Sequence, residues 1–301
     1  MLNPKNIFVY DPGSNTKSTV NAISPDINIV PTYQEILSNP EITAVIIASP
    51  ASTHYFVAKE ALNSGKHCLV EKPITLYSSE AKELVDIATS KNLKLMVGHV
   101  LLYHGAIIKI LEETGENNML GDIQYIYSNR LNLGKIRSEE NSLWSFAPHD
   151  ISIIQYFTGV NPIEIMAKGS AVIQPHIEDS TITFLKYPGN ITAHIFVSWL
   201  HPFKEHRLVV IGSKGMFVFE DSAQTDKLKF YSKGFKKGDD GTFLPFDNSF
   251  EVVQYDTKPP LAEEQKHFFN CIIEDKTPLS DGIHALEVLK ILETAQERLK
   301  S

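Results

Sequence analysis

The sequence is short of positive charge. It carries 28 Lys and Arg against 36 Asp and Glu, a net charge of −8, and no basic run interleaved with aromatics. That balance argues against a nucleic-acid footprint. Long hydrophobic runs are also missing, so no segment reaches the length of a membrane span. Met1 to Lys5 lacks the layout of a signal peptide, and the expected location is the cytoplasm. Only two cysteines occur, Cys68 and Cys271, far apart and in apolar surroundings. They read as buried thiols in a reducing compartment, not as a disulfide or a metal pair. The histidines show no ligand spacing, so no metal site is expected. No serine lies in a nucleophile-elbow context, which leaves serine hydrolysis unsupported. Repeats and low-complexity tracts are absent, and no glycine-rich phosphate loop stands anywhere in the first seventy residues.

What is present is soluble and globular in composition, 43% hydrophobic and 21% charged, over a length comfortable for two domains. The first hundred residues alternate between short apolar strands and amphipathic helices. Ile7–Tyr10 runs into an Asp11-Pro12-Gly13 turn, and Val45–Ala48 stops at Ser49-Pro50. Residues His54–Asn63 have helical spacing and end at Gly65. Cys68–Val70 and Leu93–Val97 are further strands. A helix opens at Ser78-Ser79-Glu80, with either serine as its cap and Ala81, Leu84, Val85 and Ala88 as its apolar face. Nearly all-apolar strands separated by such helices predict a parallel sheet covered on both faces.

Beyond about residue 120 the periodicity changes. Ile123 to Leu131 alternates, with Ile123, Tyr125, Tyr127, Asn129 and Leu131 expected on one face. Half-buried strands follow at Ile163–Val172, Ser180–Tyr187, Ile191–Trp199, Leu208–Ile211 and Met216–Phe219, punctuated by Pro188-Gly189 and Ser213-Lys214-Gly215. Helices are expected at Asp150–Phe157, Glu263–Ile273 and Ile283–Leu299, and an exposed loop or long hairpin at Phe235–Asn248. The fold class expected is therefore α/β plus α+β. Residues 1–120 would form a Rossmann-like parallel domain, and residues 121–301 a mostly antiparallel open-sheet domain with flanking helices.

The tripeptide Glu71-Lys72-Pro73 closes the Cys68–Val70 strand, and the carboxyl ends of strands are where open α/β sheets build their sites. A partly desolvated lysine there suits acid–base work. The tripeptide alone is equally compatible with a solvated lysine paired to Glu71. Its neighbours add to it: Ala48-Ser49-Pro50 with His54, Gly65-Lys66-His67 and Gly98-His99 follow one order. In that order the chain resembles the Gfo/Idh/MocA family of nicotinamide-dependent oxidoreductases. Tyr127–Arg137 and Leu143–Asp150 are similar to the members that oxidise the 3-hydroxyl of UDP-N-acetylhexosamines.

The resemblance implies the following roles. Lys72 would stand beside the nicotinamide and hydrogen-bond the reacting oxygen, stabilising alkoxide charge. His149 would be the base or its partner; on local pattern it could instead belong to a helix start, where Asp150 is the better cap. Asp11 would accept hydrogen bonds from the adenosine ribose, favouring NAD over NADP, although an Asp-Pro-Gly turn explains it nearly as well. Ser49, Pro50 and His54 would line the nicotinamide ribose, with Glu71 completing the cofactor contacts; the alternative for His54 is a helix-start residue without a partner. Pro73 is a candidate for a cis bond. Arg130, Asn132, Arg137 and Trp144 would hold the sugar nucleotide, the arginines suiting bidentate pyrophosphate contact, or form an ordinary polar sheet face. His99, Tyr103 and His104 would border the site. A small-molecule sugar or sugar-nucleotide substrate and a homo-oligomer paired through the second sheet are further implications.

Two departures from the family stand out. Its members place a strand, a glycine-rich turn and a helix ahead of the segment that here starts near Lys5, so the expected parallel sheet is N-terminally truncated. Either two strand edges are exposed, or the Ile7 and Val45 strands pair directly. Ser145 stands where many relatives have an aspartate four residues before the histidine. Three readings follow: an NAD-dependent dehydrogenase, a non-catalytic relative that binds a sugar nucleotide or a partner subunit, and an inactive fragment.

Overall fold

The computed structural model describes residues 3–115 and 117–300. The chain enters through β1 (Phe8–Val9), α1 (Thr16–Ile23), β2 (Asn28–Ile29) and α2 (Tyr33–Ser38). It continues with β3 (Ala44–Ile47), α3 (Ala51–Asn63), β4 (His67–Val70), α4 (Ser78–Ser90) and β5 (Leu95–Val97). A 3-10 turn at Val100–Tyr103 leads into α5 (Gly105–Glu112). β3, β4 and β5 pair in parallel, with Ile47 opposite Val70 and Leu69 opposite Met96. Cys68, Val70, Met96 and Val97 are fully buried, because α3 covers them with Ala58, Ala61 and Leu62 and α4 with Ala81, Leu84 and Ala88.

The parallel strands do not form one sheet. β1 and β2 pair with each other, β3 to β5 form a separate sheet, and no ladder joins β1 to β3 among the described residues. Of the two outcomes the sequence left open, the structure takes exposed edges over direct pairing. Ile46 on β3, an edge strand of its sheet, is accordingly 46% exposed.

The helix at Ser78 needs a correction. Neither Ser78 nor Ser79 caps it: the N-cap is Tyr77, without a side-chain bond. The orphan amide of Ser78 donates instead to Glu293 Oε1 at 2.8 Å, so a carboxylate distant in sequence takes the place of a local cap.

The second layer comprises β6 (Ile123–Leu133), α6 (Ser142–Thr158), β7 (Glu164–Ser170), β8 (Ser180–Lys186), β9 (Thr192–Ser198), β10 (Leu200–Gly212), β11 (Met216–Glu220), β12 (Leu228–Lys237) and β13 (Phe243–Val252), then α7 (Pro260–Ile273) and α8 (Gly282–Leu299). Its eight strands run in the order β13-β12-β11-β10-β6-β9-β8-β7. Every neighbouring pair is antiparallel except β6 with β9. The Phe235–Asn248 stretch is the β12–β13 hairpin.

β6 alternates as expected, with Ile126 and Ser128 buried, Tyr125 and Tyr127 together on the other, half-buried face, and Leu131 buried near its end. α6 packs on the former side, while Tyr127 stacks on His194 of β9 on the half-exposed side. The expected start of α6 fails: the helix begins nine residues before Ile151. Asn141 caps it by accepting the Trp144 amide at 3.2 Å, and Pro148 and Asp150, which read as a start, lie inside the helix. The helix ends at Gly159, whose φ of +65° is the left-handed cap that glycine adopts without strain.

The last two helices return to the first layer. Val97 donates its amide to Ser280 O at 2.8 Å, and the Ser280 hydroxyl donates back to Val97 O at 2.7 Å. α8 packs on both α4 and α6.

Candidate active site

β4 delivers Glu71, Lys72 and Pro73 to its carboxyl end, and the Lys72–Pro73 bond is cis. Lys72 Nζ donates to the carbonyl oxygen of Ser145 on α6, at 3.2 Å. Burial is the main influence on this amine and pulls its pKa down; Glu140 and Glu71 oppose that, while Arg137 and Arg130 reinforce it. One turn further along α6 stands His149. Burial holds its pKa well below the usual range, helped by the charges of Arg130, Lys72 and His99. β5 ends at Gly98-His99, and His99 is likewise held neutral by burial, with His284 and Lys72 adding to the effect. Lys72, from the end of β4, thus stands close enough to His99 after β5 and His149 of α6 for its charge to lower both. Among the described residues the buried Nδ1 atoms of His149 and His99 have no partner, nor do Asn132 Oδ1 and Ser145 Oγ.

An ion pair sets the histidine's position. Arg130 of β6 donates from Nε and Nη2 to the two carboxylate oxygens of Asp150, both at 3.0 Å, and the Ser128 hydroxyl donates to the same carboxylate at 2.7 Å. Asp150 is 1% exposed. Asp150, expected as a helix cap, is instead the residue that ties the His149 turn to the sheet. The bidentate fork expected for a pyrophosphate is occupied by this carboxylate, because a buried aspartate needs a paired cation. Beneath it His206 is pushed down to about 4, by burial first and then by Arg130.

The remaining expected residues fall as follows. Glu71 accepts the Lys72 amide at 3.2 Å on Oε2, flanked by Gly98, where a Cβ would lie 3.0 Å from that oxygen. His54 is neither unpartnered nor at a helix start. It is buried inside α3, with Nδ1 2.7 Å from Pro73 O and Nε2 2.8 Å from Ser49 O, so it ties the β3 turn to the β4 turn. A neutral imidazole donates to one of these carbonyls and an imidazolium to both. Ser49 Oγ pairs with Thr53 Oγ1 at 2.7 Å, and Pro50 is the N-cap of α3. Asp11 follows β1 and accepts the Gly13 amide at 2.6 Å, the turn geometry that was the alternative for it. Arg137 is exposed and paired with Glu140 at 2.9 Å. Trp144 donates its indole N–H to Gln296 Oε1 of α8 at 3.0 Å, which fixes it to the C-terminal helix. Tyr103 and His104 lie on the 3-10 turn and at its end; His104 caps α5.

The sequence reading missed Glu264. It lies on the buried face of α7 with Phe268 and Cys271, and burial with the nearby Glu71 carboxylate raises it to about 8. The signal was there: a carboxylate at i, with apolar residues at i+4 and i+7, sits on a helix's apolar stripe. Among the described residues no cluster of His, Cys, Asp and Glu could hold a metal ion, and no helix is long and apolar enough to cross a membrane.

Residues 4–99 match an oxidoreductase family described as an NAD-binding Rossmann fold, and residues 116–218 match the GFO/IDH/MocA C-terminal domain. The chain is 30% identical over 254 residues to UDP-N-acetylglucosamine 3-dehydrogenase of Acidithiobacillus ferrooxidans, covering 83% of this chain and 76% of that protein. It is 25% identical over 201 residues to dTDP-3,4-didehydro-2,6-dideoxy-alpha-D-glucose 3-reductase of Saccharopolyspora spinosa, covering 62% of this chain and 58% of that one. The crystal structure of the Acidithiobacillus enzyme superposes with a TM-score of 0.83 at 24% identity, over 97% of this chain and 89% of that one. The aldose-aldose oxidoreductase of Caulobacter crescentus superposes with a TM-score of 0.78 at 18% identity, over 98% and 89%.

Proposed function

Because the chain belongs to the Gfo/Idh/MocA oxidoreductases, we propose that it interconverts a sugar-nucleotide hydroxyl and ketone, at C3 of a UDP-N-acetylhexosamine, with NAD as hydride acceptor. The hydrogen bond from Lys72 to Ser145, one turn before His149 on α6, brings the two side chains together from separate layers and carries this reading. Carbohydrate oxidation needs a base for the hydroxyl proton and a donor for the oxygen that gains charge. His149, neutral at physiological pH, takes the proton. Lys72 Nζ, already donating to a carbonyl, transfers its hydrogen bond to the reacting oxygen. The partnerless Asn132 Oδ1, Ser145 Oγ and His149 Nδ1 offer polar contacts that ring hydroxyls would satisfy.

NAD, when bound, supplies the hydride acceptor. The Asp11 carboxylate after β1, the Ser49-Pro50 turn after β3 and Glu71-Lys72 after β4 would hold it. An anionic Asp11 favours NAD over NADP, since a ribose phosphate would face a like charge. The reading includes a homo-oligomer in the cytoplasm. The β12–β13 hairpin exposes Phe235, Phe243, Leu244 and Phe250, more apolar surface than a lone hairpin keeps in water, and the two buried cysteines are unbridged.

Calorimetric titration with NAD, followed by turnover assays on UDP-N-acetylhexosamines, tests the reading, with Lys72→Ala as companion. Binding with turnover that the variant loses supports it; turnover unaffected by the variant refutes the assigned chemistry. The split parallel layer favours a second reading, a relative that binds the sugar nucleotide without turnover. A melting temperature raised by UDP-sugar and unmoved by NAD would select it.

A further inference from the structure

We propose that Gln296, on the last helix, is a positioning residue for Lys72: its side-chain oxygen ends a chain of hydrogen bonds that starts at the lysine Nζ and runs through the first turn of α6. The inference rests on the roles assigned to Lys72 and His149 above.

The chain has three links. Lys72 Nζ donates to Ser145 O at 3.2 Å, the Ser145 amide donates to Asn141 O at 3.1 Å, and Asn141 Nδ2 donates to Gln296 Oε1 at 2.9 Å. All three run the same way, from the lysine toward α8, so each polarises the next. The Trp144 indole gives Gln296 Oε1 a second donor at 3.0 Å. An indole nitrogen only donates, so the glutamine atom that meets it is the carbonyl oxygen, and the amide has one orientation. Asn141 is fixed as well. Its Oδ1 accepts the Trp144 amide, which turns Nδ2 toward Gln296 and Glu178 Oε2.

The same helix also holds the other side of the lysine. Three residues before Gln296, Glu293 Oε1 accepts the amide of Ser78, which opens α4 five residues after Pro73. Residues three apart share a helix face. One face of α8 therefore grips both the segment that follows Lys72 and the helix turn that accepts its amine. The separation of Lys72 from Ser145 is set by α8, and His149, one turn further along α6, moves with it. A shift of about 1 Å in such a constellation can cost about 100-fold in rate.

Gln296→Met keeps the length of the side chain and removes the acceptor, whereas Gln296→Glu keeps an acceptor oxygen. The methionine variant should lower kcat about 10- to 100-fold with KM less affected, and the glutamate variant should recover most of the rate. Trace acetylation across alkaline pH, read by mass spectrometry, follows the amine itself. Burial lowers the Lys72 titration, so its midpoint should move back up in Gln296→Met and hold in Gln296→Glu. Lys66 is the internal control: it is 5% exposed, and its Nζ donates to Asn39 O and Ile42 O at 2.7 and 2.6 Å. General unfolding would change Lys66, and a displaced α6 would not. An unmoved Lys72 midpoint or an unchanged kcat in Gln296→Met, an equal loss in Gln296→Glu, or a Lys66 that changes with Lys72 overturns the proposal. If Gln296→Met does not fold, Asn141→Ser takes its place under the same criteria, since it keeps a capping oxygen and cuts the chain one link nearer the lysine. If no sugar nucleotide is turned over, the proposed function fails, while the labelling of Lys72 and Lys66 still decides the part played by Gln296.

Discussion

Replacing Arg130 with methionine should destabilise this protein sharply, and more than losing the histidine beside its partner. The Asp150 carboxylate is 1% exposed, and the Arg130 side chain keeps 13% of its surface in water. Without the guanidinium, the carboxylate retains one donor, the Ser128 hydroxyl. Leaving a buried charge so poorly compensated costs about 3–5 kcal/mol. With about 2.1 cal/mol/K of unfolding entropy per residue, a chain of 301 residues changes stability by roughly 0.6 kcal/mol per degree near its midpoint. The melting temperature should therefore drop by about 5–8 °C, readable by calorimetry or circular dichroism. The double variant Arg130→Met/Asp150→Leu removes both charges and should recover most of that loss, to within about 2 kcal/mol of wild type. A single variant within about 1 kcal/mol of wild type, or a double variant as unstable as the single, would refute the view that this pair is a desolvated ion pair.

Three further outcomes are expected. His149→Ala should lower kcat by about 10²–10⁴-fold with folding intact, as checked by far-ultraviolet circular dichroism and initial rates; a loss smaller than tenfold would remove it as the base. Stability should decline on the acid side. His206 titrates near 4 in the fold, so above the ordinary histidine range both states are neutral and its contribution is complete. As pH falls below that range the unfolded chain takes up a proton that the fold refuses, costing at most about 3 kcal/mol by pH 4 and less because the ring is only half-buried; His206→Gln should flatten urea midpoints over this window. Trp199→Phe removes the indole donor, 2.5 Å from the buried Asp179 carboxylate. Burial works to raise that group, but the Ile173 amide, this indole and the Val172 amide bring it below the usual range, so its stabilisation is present above that range and lost as pH falls through the lowered value. The variant should lose about 1–3 kcal/mol and unfold at a higher pH in an acid titration.

Local pattern exposed what local physics dictates. The run Cys68–Val70 ending in Glu71-Lys72-Pro73 marks a buried strand and where it stops because apolarity and the break fall together. The helices around Ala81 and Val288 were legible from their apolar stripes. α1 was not, since only Val20 of its eight residues is buried, and α5 was not, since a short apolar run such as Ala106–Ile110 suits strand and helix alike. The role of Asp150 was hidden for a different reason. Its partner Arg130 lies twenty residues away on a strand, and no periodicity encodes that pairing, whereas a Pro-His-Asp sequence mimics a helix start. Lys72 and Ser145 are 73 residues apart, so the site was visible only as an order of motifs.

The hydrogen bonds between Val97 and Ser280 also set a timetable. The two residues are 183 positions apart, which at roughly 5–20 residues per second is about 10–40 s of ribosomal synthesis. Through that interval the nascent β5 has its strand partner on one side and an unfilled backbone amide on the other, and the 3-10 turn after it waits for α7. The layer that carries Lys72 thus acquires this support from a segment made 183 positions later. Translation products that stop short of Ser280 would hold the Lys72 strand without this cover, a form suited to chaperone capture and rapid proteolysis.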